Sequence, residues 1–228
     1  MNITKKSLIK ISSEIDHQNR WNRFDNKGTK DFIFIQLCNI VDDYLENKRQ
    51  VPEDKVKLIQ NLRDDDEFIS EMFAKNGHAF GCASHRIKSD KHFVLTAVQL
   101  HGHALKYASE ELRNDKEIVL QAVAENGLAL HHASENLRSD KEVVLAALRQ
   151  NGTALQYAAD NLKSDKEIVL EAVKQTKWAI KDACPDILHL CKDKDSVKIL
   201  ESMILAEDLQ NSLLMKTGSQ HQKKRMKI

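Results

Sequence analysis

Residues 115–139 read DKEIVLQAVAENGLALHHASENLRS, and residues 140–164 repeat this pattern as DKEVVLAALRQNGTALQYAADNLKS. Working outward from them, Asn-Gly pairs at Asn76, Asn126 and Asn151 stand 25 residues or a multiple of 25 apart, with His101-Gly102 in the fourth place. A fixed period of this length is typical of solenoid arrays. Aspartates in the same register mark the start of five copies: Asp65, Asp90, Asp115, Asp140 and Asp165.

Each copy predicts two helices. Ser139 and Ser164 are followed three residues later by Glu142 and Glu167, which is the spacing of a capping box, so the first helix is expected to begin at these serines. The Asn-Gly pair predicts its end, with the glycine in the left-handed conformation that closes a Schellman-type cap. The second helix is expected to run through LALHHASENL, residues 128–137.

One copy is too small to fold alone. About eight apolar side chains at roughly 2 kcal/mol each do not offset the ordering of 25 residues at roughly 1.5 kcal/mol each. Stacking of successive copies supplies the missing burial. The predicted fold class is therefore all-α: a right-handed-type α-solenoid of short helix-pair repeats with helical caps at both ends.

The repeat register also divides the chain. Helical periodicity follows Asp31 and Pro52, outside the register, and a loop with Trp21 and Phe24 is expected from Asn19 to Lys30. Beyond the repeats, one more amphipathic helix begins at Ser196. The predicted segments are an N-terminal helical capping segment (1–64), five tandem repeats (65–189), a C-terminal capping helix (190–215) and a disordered basic tail (216–228).

The composition excludes several classes of protein. The 35 basic and 34 acidic residues nearly cancel, so no global field draws the chain to nucleic acid or to an anionic membrane. No stretch reads as a signal-peptide core or as a membrane span, which predicts a soluble, cytoplasmic protein. The four cysteines are expected to be reduced thiols, because a chain of this length buries a core without disulfides.

The Asp-Lys-Glu start, the Asn-Gly break and the A-L-x-x-A-S-E-x-L-R end resemble the repeats of the family DUF4116, a domain of unknown function. The resemblance covers about 125 of the 228 residues. It is clearest in Asp115 to Ser164 and weaker in Asp65 to Ser89, where Phe80-Gly81-Cys82 replaces the usual leucine-led stretch. It implies a setting, since similar repeats occur in effectors that intracellular bacteria inject into host cells and in some protist proteins, often beside other domains. The family motif carries no catalytic residues to transfer.

Two variable columns on the second helix are the candidate binding site. They occupy positions 14 and 18 of each copy, which lie four residues apart on one edge of the apolar arc. A row of His, Tyr and Trp suits recognition of a peptide or a partner helix, and the alternative is that these side chains seal the joints between repeats. The predicted binding residues are His78, His103, Tyr107, His132, Tyr157 and Trp178, with Leu128, Thr153, Cys82 and Asp182 in the same columns.

Metal and catalytic sites are not predicted. Cys184, His189 and Cys191 lack the paired arms of a structural zinc site, and Cys38 and Cys82 have no signature of a nucleophile around them. No phosphate-binding glycine loop or hydrolase motif is present, and no cofactor is implied. An enzyme with an unrecognised site stays as an alternative, chiefly through the N-terminal segment.

A basic cluster ends the chain at Lys223, Lys224, Arg225 and Lys227. Such a cluster serves as a nuclear import signal or a nucleic-acid contact, or it is simply a solvated terminus. Together with basic residues at the repeat ends (Arg113, Arg138 and Lys163), it supports nucleic-acid binding as the second hypothesis. The leading hypothesis is a protein-interaction scaffold with an unidentified protein partner, translocated into a host cell if the family setting applies.

Overall fold

The computed structural model describes residues 4–16, 29–47, 52–191, 195–207 and 209–210. Within these ranges the secondary structure is entirely helical, so the all-α repeat fold is confirmed. Trp21 and Phe24 of the predicted loop and the basic tail lie outside the described residues, whereas Lys30, the predicted last residue of that loop, begins a helix. The chain divides into two compact units, unit 1 (Met1–Ser134) and unit 2 (Glu135–Ile228).

Among the described residues of unit 1, three helices precede the repeats. They are α1 (Lys5–Asp16), α2 (Lys30–Asn47) and α3 (Glu53–Arg63). Pro52 stands at the N-cap of α3, where its lack of an N–H removes no helical hydrogen bond. Phe34 and Leu37 of α2 are fully buried, and the Phe34 ring packs edge-on against Phe68 of repeat 1 at 4.9 Å. Helix α2 therefore covers the first repeat.

Each repeat contains three helical elements. The first helices are Asp66–Lys75, Lys91–Leu100, Lys116–Glu125, Lys141–Gln150 and Lys166–Gln175. The second elements are 3-10 helices at Gly77–Cys82, Gly102–Tyr107, Gly127–His132, Gly152–Tyr157 and Lys177–Asp182. The third are short α-helices at His85–Lys88, Glu110–Arg113, Glu135–Arg138, Asp160–Lys163 and Pro185–Cys191. A further helix in unit 2 covers residues 196–207.

The first helix begins one residue later than the capping-box spacing predicts. Asp140 is the N-cap, and its carboxylate accepts hydrogen bonds from Glu142 N at 2.9 Å and Val143 N at 3.2 Å. Ser139 instead ends the preceding short helix, where its hydroxyl donates to Glu135 O. The aspartate of each Asp-Lys-Glu run is thus the capping residue, since a carboxylate stabilises the positive end of a helix.

The predicted single second helix is two elements. A 3-10 helix and a four-residue α-helix are separated at Ala133-Ser134, where Ser134 N donates to Arg113 O of the preceding repeat at 3.0 Å. The equivalent bond joins Ser109 N to Lys88 O at 3.0 Å. Because this amide bonds to a neighbouring repeat, it is withdrawn from the helical ladder and the helix breaks.

Close approach, rather than a left-handed turn, explains the glycine of the Asn-Gly pair. Asn151 is extended, with φ −153° and ψ 109°, and Gly152 begins the 3-10 helix without adopting the left-handed conformation. A Cβ on Gly152 would lie 2.3 Å from the carbonyl oxygen of Ala172 in the next repeat. A Cβ on Gly102 would likewise lie 2.4 Å from the carbonyl oxygen of Ala122. The predicted Schellman cap is wrong for these two glycines.

Small residues bring the repeats into register. The first helices carry a fully buried alanine at the same place in repeats 2–5, and the 3-10 helices carry another: Ala97, Ala122, Ala147 and Ala172, then Ala79, Ala104, Ala129, Ala154 and Ala179. A larger side chain at either place would separate neighbouring backbones. Lys177 replaces the close-approach glycine in repeat 5 and is exposed. Within each unit, successive repeats therefore stack through backbone and methyl groups.

Candidate functional site

The 3-10 helices hold the two variable columns, whose predicted binding residues are exposed or half-buried, whereas Cys82 in the second column is buried. We call the exposed and half-buried side chains at positions 14 and 18 within each unit the strip; they include the predicted residues His78, His103, Tyr107, His132, Tyr157 and Trp178. An asparagine fixes its first position: the side chain of Asn76 accepts from His78 N at 3.0 Å, and Asn151 accepts from Thr153 N at 3.0 Å. This cap orders the backbone at the first strip position in the repeats that carry an asparagine, whereas His101 and Thr176 make no such bond.

Three strip side chains meet in unit 1. The rings of His78 and His103 lie 4.7 Å apart between centroids, and His78 Nδ1 is 3.1 Å from the Tyr107 hydroxyl. His78 is exposed, whereas His103 and Tyr107 are half-buried. Beneath them Ala79 and Leu105 are fully buried. The three rings thus form one continuous surface above a closed core.

Gly81 makes room for the tyrosine. A Cβ at residue 81 would lie 2.6 Å from Tyr107 Cε1, so the phenol ring occupies the space that a side chain would take. Burial raises the pKa of Tyr107 above its usual value of 10.0, and the phenol stays protonated at neutral pH. The replacement of leucine-led sequence by Phe80-Gly81-Cys82 in repeat 1 therefore has a local reason.

The half-buried strip histidines are biased toward the neutral form. Burial, followed by the charges of His78 and His101, lowers the pKa of His103 below 6.5. Burial and then His131 lower the pKa of His132 in the same direction. At neutral pH these imidazoles therefore offer a ring face and hydrogen-bonding nitrogens rather than a charge.

Lysine accompanies the aromatic rings. Lys106 is exposed, and its Nζ lies 5.4 Å from the centroid of the Tyr107 ring. The four 3-10 helices from Gly77 to Tyr157 contain no acidic residue, and the first carboxylate in this element is Asp182. The strip consequently combines aromatic area with a positive border.

Unit 2 presents its own part of the strip. Trp178 is 79% exposed, and Tyr157 is half-buried. Lys177 and Lys181 are exposed on the same 3-10 helix as the tryptophan. Thr153 is turned back, since its hydroxyl donates to Asn151 Oδ1 at 2.8 Å. An indole with lysines on either side repeats the chemistry seen around Tyr107.

The metal candidates do not come together as ligands. Cys191 is buried, Cys184 is half-buried and His189 is exposed. Among the described residues, no group of three or more His, Cys, Asp or Glu side chains could hold a metal ion.

Two other histidines border a cleft in unit 1. The cleft has a volume of about 810 Å³ and is lined by His101 and His103 together with Lys5 and Lys75. The Nε2 atoms of His101 and His103 are buried and have no hydrogen-bond partner.

The repeat-end basic residues are not a freely exposed stripe. Arg113, Arg138 and Lys163 are all half-buried, and their carbonyls accept the inter-repeat hydrogen bonds. The tail residues Lys223, Lys224, Arg225 and Lys227 lie outside the described residues. In the described part of the chain, no helix combines the length and apolar character needed to cross a membrane.

The structure assembles one cluster that the sequence interpretation missed. Cys38 of α2 meets Cys82 of repeat 1, beside Arg63 at the end of α3. Arg63 stands 25 residues before Lys88 and so extends the basic repeat-end column backwards. The 25-residue register could therefore have identified Arg63 from the sequence, whereas Cys38 lies outside the repeats and no sequence pattern marks it.

The comparison with known families finds the repeat family. The family described as "Domain of unknown function (DUF4116)" matches residues 65–113, 90–138, 115–161 and 140–188. These overlapping matches cover residues 65–188, more than half of the 228 residues. Neither the curated proteins nor the solved structures contain a match. The successive matches follow the 25-residue register of the helices, and the chain belongs to the DUF4116 family.

Proposed function

We propose that this protein is a non-catalytic binding scaffold that holds an acidic segment of a partner protein along the strip. The observation that carries this proposal is the contiguous set of rings in unit 1, His78, His103 and Tyr107, above a core that is already closed. Interface energy is concentrated in such partly exposed aromatic side chains. The exposed indole of Trp178 supplies a similar anchor in unit 2.

Packing between repeats 1 and 2 accounts for part of the strip, since Tyr107 lies against Gly81 and His103 lies against Gly77, but it does not account for His78. A side chain that seals a joint is buried at that joint, and the joints here are closed by Ala79, Ala104 and Leu105, each no more than 1% exposed. His78 lies outside them and is exposed. Replacing the His78 ring would therefore leave the core covered, which is what a binding surface permits.

Charge favours an acidic partner. Lys106, Lys177 and Lys181 border the strip, and its half-buried histidines present donors without a carboxylate among them before Asp182. Oppositely charged groups on the partner would steer association and fix its register. A nucleic acid fits this surface less well than an acidic protein segment does, because the repeat-end basic side chains are half-buried and the charges of the chain nearly cancel.

The setting rests on the family resemblance alone. Effectors of intracellular bacteria carry similar repeats, and in that setting the partner would be a host-cell protein and the scaffold would be translocated. Nuclear entry through Lys223, Lys224, Arg225 and Lys227 belongs to the same proposal. The strip argument holds in any compartment.

A photo-crosslinking experiment tests the proposal. A benzophenone amino acid is placed at Tyr107 on the strip or, as a matched control, at the exposed Gln121 of a first helix, and both proteins are irradiated in nuclease-treated cell lysate. We expect a discrete protein adduct from residue 107 that is absent from residue 121. An acidic, aromatic-containing segment at the crosslinked position is the expected result of peptide mapping.

Variants separate the strip from the fold. The triple variant Tyr107→Ala, His132→Ala, Tyr157→Ala should lose the captured partner, while Gln99→Ala, Gln121→Ala, Gln175→Ala should keep it, with unchanged circular dichroism for both. Equal capture by the two variants would return the strip to a packing role. An adduct that forms only in lysate without nuclease treatment, and that falls steeply with salt, would make nucleic acid the ligand.

A further inference from the structure

Two cysteine thiols meet where helix α2 covers repeat 1. Cys38 lies on α2 and is 1% exposed, and Cys82 ends the first 3-10 helix and is 8% exposed. The two side chains share a hydrogen bond. Both are free thiols. The contact brings together two thiols from separate elements, which is the first requirement for a disulfide between them.

Cations surround this pair. Arg63 Nε donates to Cys38 Sγ at 3.4 Å, and Arg63 Nη2 donates to the carbonyl oxygen of Cys38 at 2.9 Å. The same guanidinium binds both carboxylate oxygens of Asp42, at 2.7 and 2.8 Å. Lys88 Nζ is half-buried and donates to Gly81 O at 2.6 Å, beside Cys82. Two cations therefore face one carboxylate, and a thiolate would balance the remaining positive charge.

The environment distinguishes the two thiols. Burial raises the pKa of the Cys38 thiol. The hydrogen bond from Cys38, and then the charges of Arg63 and Lys88, lower the pKa of Cys82 against its own burial. Cys82 is also the more exposed of the two thiols, at 8% against 1%, and Lys88 lies beside it, so we take Cys82 as the nucleophile and Cys38 as the second thiol of the pair.

We propose that Cys38 and Cys82 form a dithiol site that is oxidised by a low-molecular-weight disulfide and closes to a disulfide joining α2 to repeat 1. The Cys82 thiolate attacks one sulfur of glutathione disulfide, forms a mixed disulfide and releases glutathione thiolate. The Cys38 sulfur then displaces the second glutathione, and its proton passes to the departing thiolate. Two protein thiols are oxidised, and one glutathione disulfide is reduced to two glutathione molecules.

The disulfide would fasten the N-terminal cap. It would close a loop that contains α3 and the first helix of repeat 1, which restricts the unfolded chain and stabilises the folded one. Tyr107 packs against Gly81, next to Cys82, so the oxidised bond would form directly beneath one end of the strip. The inference does not depend on the function proposed for the strip.

Mass spectrometry of the full chain tests the site. The reduced, native protein is incubated with glutathione disulfide at neutral pH, quenched with acid and mapped. The expected product lacks two hydrogen atoms and links the peptides of Cys38 and Cys82, and its thermal midpoint rises by several degrees. In Cys38→Ser the second step is blocked, so one glutathionyl group should accumulate on Cys82.

Cys184 and Cys191 are internal controls, since they belong to unit 2 and burial raises the pKa of Cys191. Lys88→Met keeps all four cysteines and should slow the reaction of Cys82 severalfold, which tests the proposal even if a cysteine variant fails to fold. Glutathionylation of Cys184 as fast as of Cys82 would overturn the proposal. So would a native protein in which Cys38 and Cys82 stay reduced.

Discussion

The buried columns and the strip alternate along the same 3-10 helices, yet they follow different rules. The alanine column from Ala79 to Ala179 is at most 1% exposed and keeps one residue type in every repeat. The neighbouring position changes from His78 through Leu128 to Trp178, which is 79% exposed. Residue identity is therefore fixed where backbones of neighbouring repeats approach each other, and it is free to vary one residue away.

The largest expected difference is between a core leucine and a strip leucine of the same unit. Leu105 is fully buried and Leu128 is 37% exposed. Leu105→Ala should lower the free energy of unfolding by about 3 kcal/mol because it removes buried area and leaves a cavity, whereas Leu128→Ala should lower it by less than about 1 kcal/mol. Urea unfolding followed by circular dichroism measures both. Similar losses would mean that the strip belongs to the core.

Adding one methyl group at a glycine compares the same two regions, with Gly102 between neighbouring backbones and Gly81 beneath the strip. In Gly102→Ala the new Cβ meets the Ala122 carbonyl oxygen at 2.4 Å, and a neighbouring backbone must move. In Gly81→Ala it meets the edge of the Tyr107 ring at 2.6 Å, and that half-buried ring can rotate outward. We expect a loss of about 2 kcal/mol for Gly102→Ala and less than about 1 kcal/mol for Gly81→Ala in the same unfolding assay. The reverse order would contradict close backbone approach as the reason for the glycine column.

The helix starts provide a smaller test within unit 2. Asp140 accepts two backbone hydrogen bonds, whereas the Ser139 hydroxyl donates one exposed bond to Glu135 O. Asp140→Ala should therefore lower the free energy of unfolding by about 1 kcal/mol, and Ser139→Ala by less than about 0.5 kcal/mol. A larger loss for Ser139→Ala would restore the serine as the capping residue.

The sequence predicted what depends on local periodicity and missed what depends on a neighbouring repeat. The 25-residue register and the helical class follow from the spacing of Asp115 and Asp140 and from the apolar pattern between them. The role of Gly102 could not be predicted in this way. A glycine at the end of a helix has the same sequence pattern whether it adopts a left-handed turn or leaves space for the carbonyl oxygen of Ala122 in the next repeat. The helix break at Ser134 was hidden for the same reason, since its cause is the carbonyl of Arg113.

The candidate site was predictable as a pair of columns but not as a set of contacts. Counting four residues along a helix placed His103 and Tyr107 on one edge. The contact of His78 with both depends on how repeats 1 and 2 stack, which the spacing does not specify. The cluster of Cys38, Cys82 and Arg63 needs a packing of α2 on repeat 1 that no repeat register describes.

The smallest expected effect is the change in the free energy of unfolding at acid pH, which tests the burial of the strip histidines. The pKa values of His103 and His132 are lower in the folded protein than the ordinary 6.5, because burial and neighbouring basic groups oppose protonation. The facing groups are all basic: His78, His101 and Lys106 for His103, and His131, Lys106, Arg113 and His103 for His132. Below about pH 6.5 the unfolded chain therefore binds more protons than the folded one. The stability that these two residues support above that pH is lost progressively as the pH falls toward their folded pKa values.

The variant His103→Gln, His132→Gln should accordingly show a weaker fall of the urea midpoint between neutral pH and pH of about 5 than the wild type does. Asp115 and Asp64 do not contribute to a change in this window, because Lys91 holds the pKa of Asp115 below 3.8, and the Ser84 and Arg86 hydrogen bonds do the same for Asp64. His92→Gln, at an exposed histidine of a first helix, is the matched control and should leave the slope unchanged. If the double variant keeps the wild-type slope, the strip imidazoles are as well solvated as His92, and the half-buried surface described for them does not persist in solution.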